Sequence, residues 1–204
     1  MIGIIDYGLG NIKAFCNVYK TLNIPFVTAK QPDQLSNIDK IILPGVGSFD
    51  YAMQRLNDSG MRDKLDELVL VKKIPVIGIC VGMQMLTHSS DEGTLSGLGW
   101  IDARVKKFDF SLFPHNVQVP HMGWNDITPV RSSKLFLDLE TDARFYFLHS
   151  FYVHCLNDMD TLAVSRYGIE FSCVINHGNI FGIQFHPEKS HQWGVRLLKN
   201  FAEL

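Results

Sequence analysis

The sequence predicts an α/β fold: an open, mixed, mainly parallel central sheet with helices on both faces and added antiparallel strands in the C-terminal half. Three observations lead there. In the first half, short apolar β-branched runs alternate with stretches that carry an apolar stripe at helical spacing. The run Val-Ile-Gly-Ile-Cys at 76–80 passes directly into the helix formers Met83, Gln84, Met85 and Leu86. Beyond Gly93 the β-branched and aromatic segments crowd together with only short turns between them, as antiparallel hairpins do.

Taken in order, residues 2–6 form the first strand, and Gly8 and Gly10 allow the turn that follows. Asn11 is placed to cap a helix running to about residue 22, with Ile12, Phe15, Tyr19 and Leu22 on its apolar face. The Gly-Leu-Gly-Asn of this turn lacks the third glycine of a dinucleotide fingerprint, and no acidic residue closes a ribose site. Strands at 25–29 and 40–43 continue the β-α-β rhythm. Pro44-Gly45-Val46-Gly47-Ser48 then reads as a βα loop, whose amides are either an anion site or plain connection. Residues 49–56 and 61–71 read as helices broken at Asp58-Ser59-Gly60. Strands are expected at 101–108, 117–119, 144–153, 161–166, 171–176 and 180–185, with 120–125 as a connection. A last helix is expected from about 191 to 204. No repeat, low-complexity tract or linker divides the chain, so residues 1–204 read as one domain.

The bulk chemistry excludes several classes. With 19 basic and 21 acidic residues the formal charge is −2, which offers nothing to nucleic acid or an anionic membrane. No apolar run nears the roughly 20 residues that span a bilayer, and Asp6 interrupts the N-terminal run too early for a secretory segment. Cysteines 16, 80, 155 and 173 lie far apart without a C-x-x-C pair, which fits a reducing cytoplasm and neither zinc nor a disulfide framework. The eight histidines make no H-x-x-x-H pair, so neither metal nor cofactor is expected.

Two short motifs carry chemistry. Gly78 and Gly82 lie two residues either side of Cys80. A nucleophile on a tight strand-to-helix turn needs small neighbours at those offsets, and the helix amides beyond favour a thiolate. The competing reading is a buried structural cysteine in a βα turn. Far along the chain, His186-Pro187-Glu188 follows the strand at 180–185. Alternate residues of an extended segment leave on the same side, so Glu188 can hold the His186 ring as a base for the sulfur. On its own, H-P-E also describes a surface turn. Joined to the elbow it composes a Cys-His-Glu triad at the C-terminal edge of an open sheet, where α/β sites lie. His149, His154, His177 and His191 have no partner at matched spacing and read as core, surface or rim residues.

The segments I-I-D-Y-G-L-G-N, P-G-V-G-S-F, G-I-C-V-G-M-Q, P-H-M-G-W-N, F-Y-F-L-H-S-F and F-G-I-Q-F-H-P-E-K-S occur in that order and span the chain. Together they resemble the class I (triad) glutamine amidotransferases. P-H-M-G-W-N and H-P-E-K-S are similar, more narrowly, to the glutaminase subunits of imidazole glycerol phosphate synthases. The resemblance implies a flavodoxin-like glutaminase fold, and a Cys80 thiolate that attacks the side-chain amide of glutamine. By the same resemblance His186 protonates the departing ammonia, Glu188 steadies the ring, and the oxyanion is held by Val81 and the Gly45-Val46 loop. Gln84, Glu92, Ser150 and Phe151 take the glutamine-pocket positions. The implied partner is a (β/α)8-barrel synthase subunit in a heterodimer, docked on a face containing Pro120, His121, Trp124, Asn125, Tyr146 and Lys189. From the residues alone, Glu92 also reads as a solvated loop acid, and Trp124 also as a core tryptophan. Two positions depart from the family pattern: Val81 stands where leucine is commoner, and Phe151 where tyrosine is. Three rival readings stay open here: a paralogue feeding ammonia to another synthase, such as one amidinating a surface sugar; a γ-glutamyl hydrolase or cysteine peptidase; and a catalytically silent binding protein.

Overall fold

Residues 1–109, 111, 118–139 and 142–204 are described by a computed structural model. The strands in chain order are β1 (Ile2–Ile5), β2 (Phe26–Ala29), β3 (Lys40–Gly45), β4 (Val76–Cys80), β5 (Ala103–Lys107), β6 (His121–Asp126), β7 (Thr128–Pro129), β8 (Arg144–His149), β9 (Phe151–Cys155), β10 (Thr161–Tyr167), β11 (Ile169–His177) and β12 (Ile180–Ile183). The helices are α1 (Ile12–Thr21), α2 (Phe49–Asp58), α3 (Arg62–Asp66), α4 (Val81–Met85) and α5 (His191–Glu203).

The mainly apolar strands pair in parallel, with β2 at the edge of that set. β1 pairs with β2 and β3, β3 with β4, and β4 with β12, all parallel. Strands β1, β4 and β12 are buried throughout, as a sheet covered on both faces requires. From β12 outward the sense reverses: β11, β10 and β7 add antiparallel, and β9 joins β11 and carries β5. The expected mixed sheet is therefore present, with ten strands among the described residues, two of them branching off β11.

Helix α1 buries Phe15 and Tyr19 of its expected stripe, and the Tyr19 hydroxyl donates to the Leu198 carbonyl of α5 at 3.2 Å. Asn11 does precede α1, but its side chain makes no capping bond. The expected helix at 61–71 is α3 followed by one π-helical turn, Glu67–Val71, in which the Lys72 N–H reaches back to the Glu67 carbonyl. No helix among the described residues is long and apolar enough to cross a membrane.

Two expectations are corrected in the C-terminal half. Residues 120–125 are not a connection, because β6 pairs antiparallel with β8 as a separate two-stranded sheet. Pro120, Gly123 and Asn125 read as turn residues, but cross-strand pairing with aromatic β8 overrides that weak preference. Residues 144–153 are not one strand either: β8 stops at His149 and β9 starts at Phe151. Ser150 is the corner at which the chain leaves β6 and joins β5 in the large sheet. Of the expected strand 117–119, residue 117 lies outside the described residues, while Gln118 and Val119 are not in a strand.

Candidate active site

The parallel strands place the predicted nucleophile. Cys80 ends β4 and has φ +56° and ψ −114°, a backbone conformation rare outside glycine. Such strain at a strand-to-helix turn is what a nucleophile elbow stores. The glycines around it leave no room for a methyl group. A Cβ on Gly82 would sit 2.0 Å from the Leu43 carbonyl oxygen, one on Gly78 2.5 Å from the Gly82 oxygen, and one on Gly45 2.3 Å from the Gly82 nitrogen. Gly45 is also the register partner of Cys80, so the Gly45-Val46 loop leaves β3 beside the sulfur. The Tyr7 hydroxyl supports that loop from below by donating to the Pro44 carbonyl at 2.7 Å.

His186 follows β12, the strand next to β4, and so emerges at the same sheet edge. Its backbone is clasped by β8 in a closed circuit. The His186 N–H donates to the Tyr146 carbonyl at 2.8 Å, the Tyr146 N–H to Ser190 Oγ at 3.0 Å, and the Ser190 hydroxyl to the His186 carbonyl at 2.6 Å. The ring Nδ1 lies 2.9 Å from Glu188 Oε1, with both side chains buried. Burial pulls the imidazole down, but hydrogen bonds and charges from Cys80 and Glu188 outweigh it and push His186 up to about 10. Glu188 Oε2 is buried with no hydrogen-bond donor among the described residues, and the imidazolium stands against the same carboxylate. The elbow and the carboxylate-held imidazole therefore stand at the same edge of the sheet.

A cavity of about 330 Å³ opens at that edge, lined by Val46, Gly47, Cys80, Val81, Gln84, Glu92, Pro120, Leu148, His149, Ser150, Phe151, His186 and Lys189. Of the oxyanion and pocket residues expected from sequence, Val46, Val81, Gln84, Glu92, Ser150 and Phe151 line it, and Gly45 stands just behind. Glu92 is exposed, and its Oε2 accepts the first amide of α2, Phe49 N–H, at 2.8 Å. That bond links the carboxylate to the helix leaving the 45–48 loop, so Glu92 is anchored rather than merely solvated. Gln84 Nε2 donates to the Phe151 carbonyl at 3.4 Å and to Gln184 Oε1 at 3.2 Å, and Gln184 Nε2 approaches Cys80 Sγ at 3.9 Å. Sequence spacing places neither Gln184 beside the sulfur nor His149 in the pocket lining. Only their positions, two residues before His186 and one before Ser150, could have pointed to them.

The residues expected on the docking face divide. Trp124 is 40% exposed, with its ring stacked on His191 at 5.2 Å, so it is not a core residue. Lys189 Nζ sits 5.6 Å from the Tyr146 ring centroid, and Pro120 reaches the cavity rim. His121 is buried at 3% exposure, because odd-numbered residues of β6 point inward; Met122, absent from the expected set, is 60% exposed in its place. A larger cleft of about 500 Å³ lies at Val130, Arg131, Tyr152, Glu170 and Ser172, away from the sulfur.

A thiol raised on an elbow, with a carboxylate-held imidazole beside it, is the equipment of α/β enzymes that pass an acyl group through sulfur. Comparison with known proteins narrows the class. Residues 4–204 match the family described as glutamine amidotransferase class-I. Over the whole length of both chains this protein is 60% identical to imidazole glycerol phosphate synthase subunit HisH of Bdellovibrio bacteriovorus and 56% identical to that of Leptospira interrogans. A crystal structure of a glutamine amidotransferase superposes with TM-score 0.75 at 18% identity, covering 100% of this chain and 99% of that one. The structure of PurLQS from Thermotoga maritima superposes with TM-score 0.70 at 16% identity, covering 99% and 97%; both share the fold. The chain belongs to the glutamine amidotransferase class-I family, among the HisH subunits.

Proposed function

We propose that this chain, acting as one 1–204 domain, hydrolyses glutamine at Cys80 and hands the ammonia to an imidazole glycerol phosphate synthase partner of (β/α)8-barrel form, in the cytoplasm. The observation that carries the reading is that Cys80 and His186 line one cavity, with His186 Nδ1 2.9 Å from Glu188 Oε1. In this reading the sulfur adds to the side-chain amide carbon of glutamine, and the oxyanion is met by the Val81 amide and an amide of the Gly45-Val46 loop. A donor of this kind contributes on the order of 3 kcal/mol to the transition state. His186 gives its proton to the leaving nitrogen, ammonia departs, and a glutamyl thioester remains. Water then attacks that thioester while the same imidazole takes its proton, and glutamate leaves. Glu92, Gln84, Ser150 and Phe151 hold the amino-acid end of the substrate, Glu92 pairing with its ammonium.

Ammonia released to solvent becomes ammonium, which is not nucleophilic, so coupling to a docked synthase preserves it. Trp124, Met122, Tyr146 and Lys189 offer the docking face, with Trp124 as its aromatic anchor. The relatives' full-length match supports this acceptor rather than a surface-sugar pathway. A glutamine-mimicking chloroketone tests the reading by mass spectrometry, with and without the synthase partner. One adduct on Cys80, formed faster in the complex, is expected; no adduct there removes the assignment.

A further inference from the structure

Beside the glutamine pocket, which His149 itself lines, two buried histidines form a hydrogen-bonded chain that the triad does not use. His149 Nδ1 lies 2.8 Å from the Phe151 carbonyl oxygen. A carbonyl only accepts, so Nδ1 carries the proton and Nε2 of the neutral ring is an acceptor. His121 Nδ1 lies 3.0 Å from that Nε2, so His121 donates through Nδ1 and accepts at Nε2. The Asn125 amide, 3.3 Å away, completes the chain by donating to His121 Nε2 and also donates to the Arg166 carbonyl at 3.0 Å. All three donors point one way: Asn125 to His121, His121 to His149, His149 to the Phe151 carbonyl.

The surroundings keep this direction. His121 is stacked between Phe147 at 4.8 Å and Tyr167 at 4.0 Å, and Phe171 stands edge-on to it. His149 lies among Phe108, Phe147 and Phe171, with ring centroids 5.2 to 5.7 Å away. Burial holds both imidazoles far below the usual histidine range, so neither takes a second proton near neutrality. The Phe151 carbonyl also accepts from Gln84 Nε2, so the chain ends on the backbone that joins two pocket residues. Its other end lies in β6, whose outward side chains are Met122 and Trp124.

We propose that His121 and His149 are positioning residues that fix the Phe151 peptide in the glutamine pocket and tie it to β6. This rests on the glutamine reading given above. A shift of β6 on docking would change the length of the His121–His149 bond, and the pocket wall would follow.

The test uses the complex of this chain with the synthase partner of its own genome, and steady-state glutamine kinetics. His121→Phe keeps the aromatic stack and deletes the donor, leaving a buried acceptor unpaired. KM for glutamine should rise about tenfold, with kcat within about twofold of the parent. His121→Gln restores a donor and should recover most of the loss. An unchanged KM in His121→Phe, or equal losses in both variants, overturns the proposal. Nitrogen-detected NMR of the unsubstituted chain, labelled at histidine, gives a second readout that needs no variant to fold. Nδ1–H tautomers at both rings support the chain, and an Nε2–H tautomer at His149 overturns it. If the parent complex shows no glutaminase activity the underlying reading fails by itself, while the tautomers still decide the relay.

Discussion

Glu188 shows how much of the site's chemistry depends on one charge. Its Oε1 accepts from His186 Nδ1 at 2.9 Å, so the carboxylate's charge bears directly on the imidazole. Glu188→Gln keeps the shape and removes the charge, and the kcat for glutamine hydrolysis should fall by at least about a hundredfold. His186, held up at about 10 in part by this carboxylate, should then titrate at lower pH, which imidazole NMR would read directly. An unmoved titration would show that Cys80 alone raises it. Phe151 gives the converse case, a side chain expected to matter little. The pocket contacts seen at this position, from His149 and Gln84, go to its carbonyl. Phe151→Tyr should therefore leave KM for glutamine within about twofold, because the backbone acceptor is unchanged; a larger rise would give the ring a part in binding.

At the scale of elements, the elbow is a fit between three backbones rather than a collection of side chains. A methyl on Gly82 would meet the Leu43 carbonyl oxygen at 2.0 Å, and neither backbone can swing aside as a flexible side chain could. Gly82→Ala should destabilise the chain by roughly 3 kcal/mol and lower Tm by roughly 10 °C in a thermal melt. A melt within a degree or two of the parent would mean that β3 can retreat from α4. This geometry was legible in advance, because the glycine offsets around Cys80 and the two-residue step from His186 to Glu188 are local. What stayed hidden depends on partners far away in sequence. β6 carries Pro120, Gly123 and Asn125 at and just before its span, and only its register with β8 shows it to be a strand. The same pairing turns His121 inward, toward His149, 28 residues further on, a contact that no spacing rule predicts. It turns Trp124 outward, and Trp124→Ala should weaken binding of the synthase partner about thirtyfold by calorimetry while leaving the melt unchanged.

For the molecule as a whole, the large sheet and the small β6–β8 sheet meet over an interior that keeps its histidines in two opposite states. His186 is held protonated by the sulfur and the carboxylate, whereas burial holds His149 near 3 and His121 near 4, and the His186 charge, joined by His121 once that ring is protonated, also disfavours protonating His149. The pH dependence of stability follows from the signs. A group with a raised folded value stabilises fully below its unfolded value and loses that stabilisation as pH rises toward about 10. Groups with depressed folded values act oppositely: the unfolded chain takes up their protons below about 6.5, so stability falls as pH drops from there toward 4. Each proton taken up only on unfolding adds a slope of about 1.4 kcal/mol per pH unit. Urea unfolding between pH 7 and 4.5 should show that slope steepening below 6.5, where His186 is protonated in both states and adds little, and His121→Phe should flatten it by close to one proton. A slope identical in parent and variant would place the acid sensitivity elsewhere and would mean that His121 meets water in the folded chain.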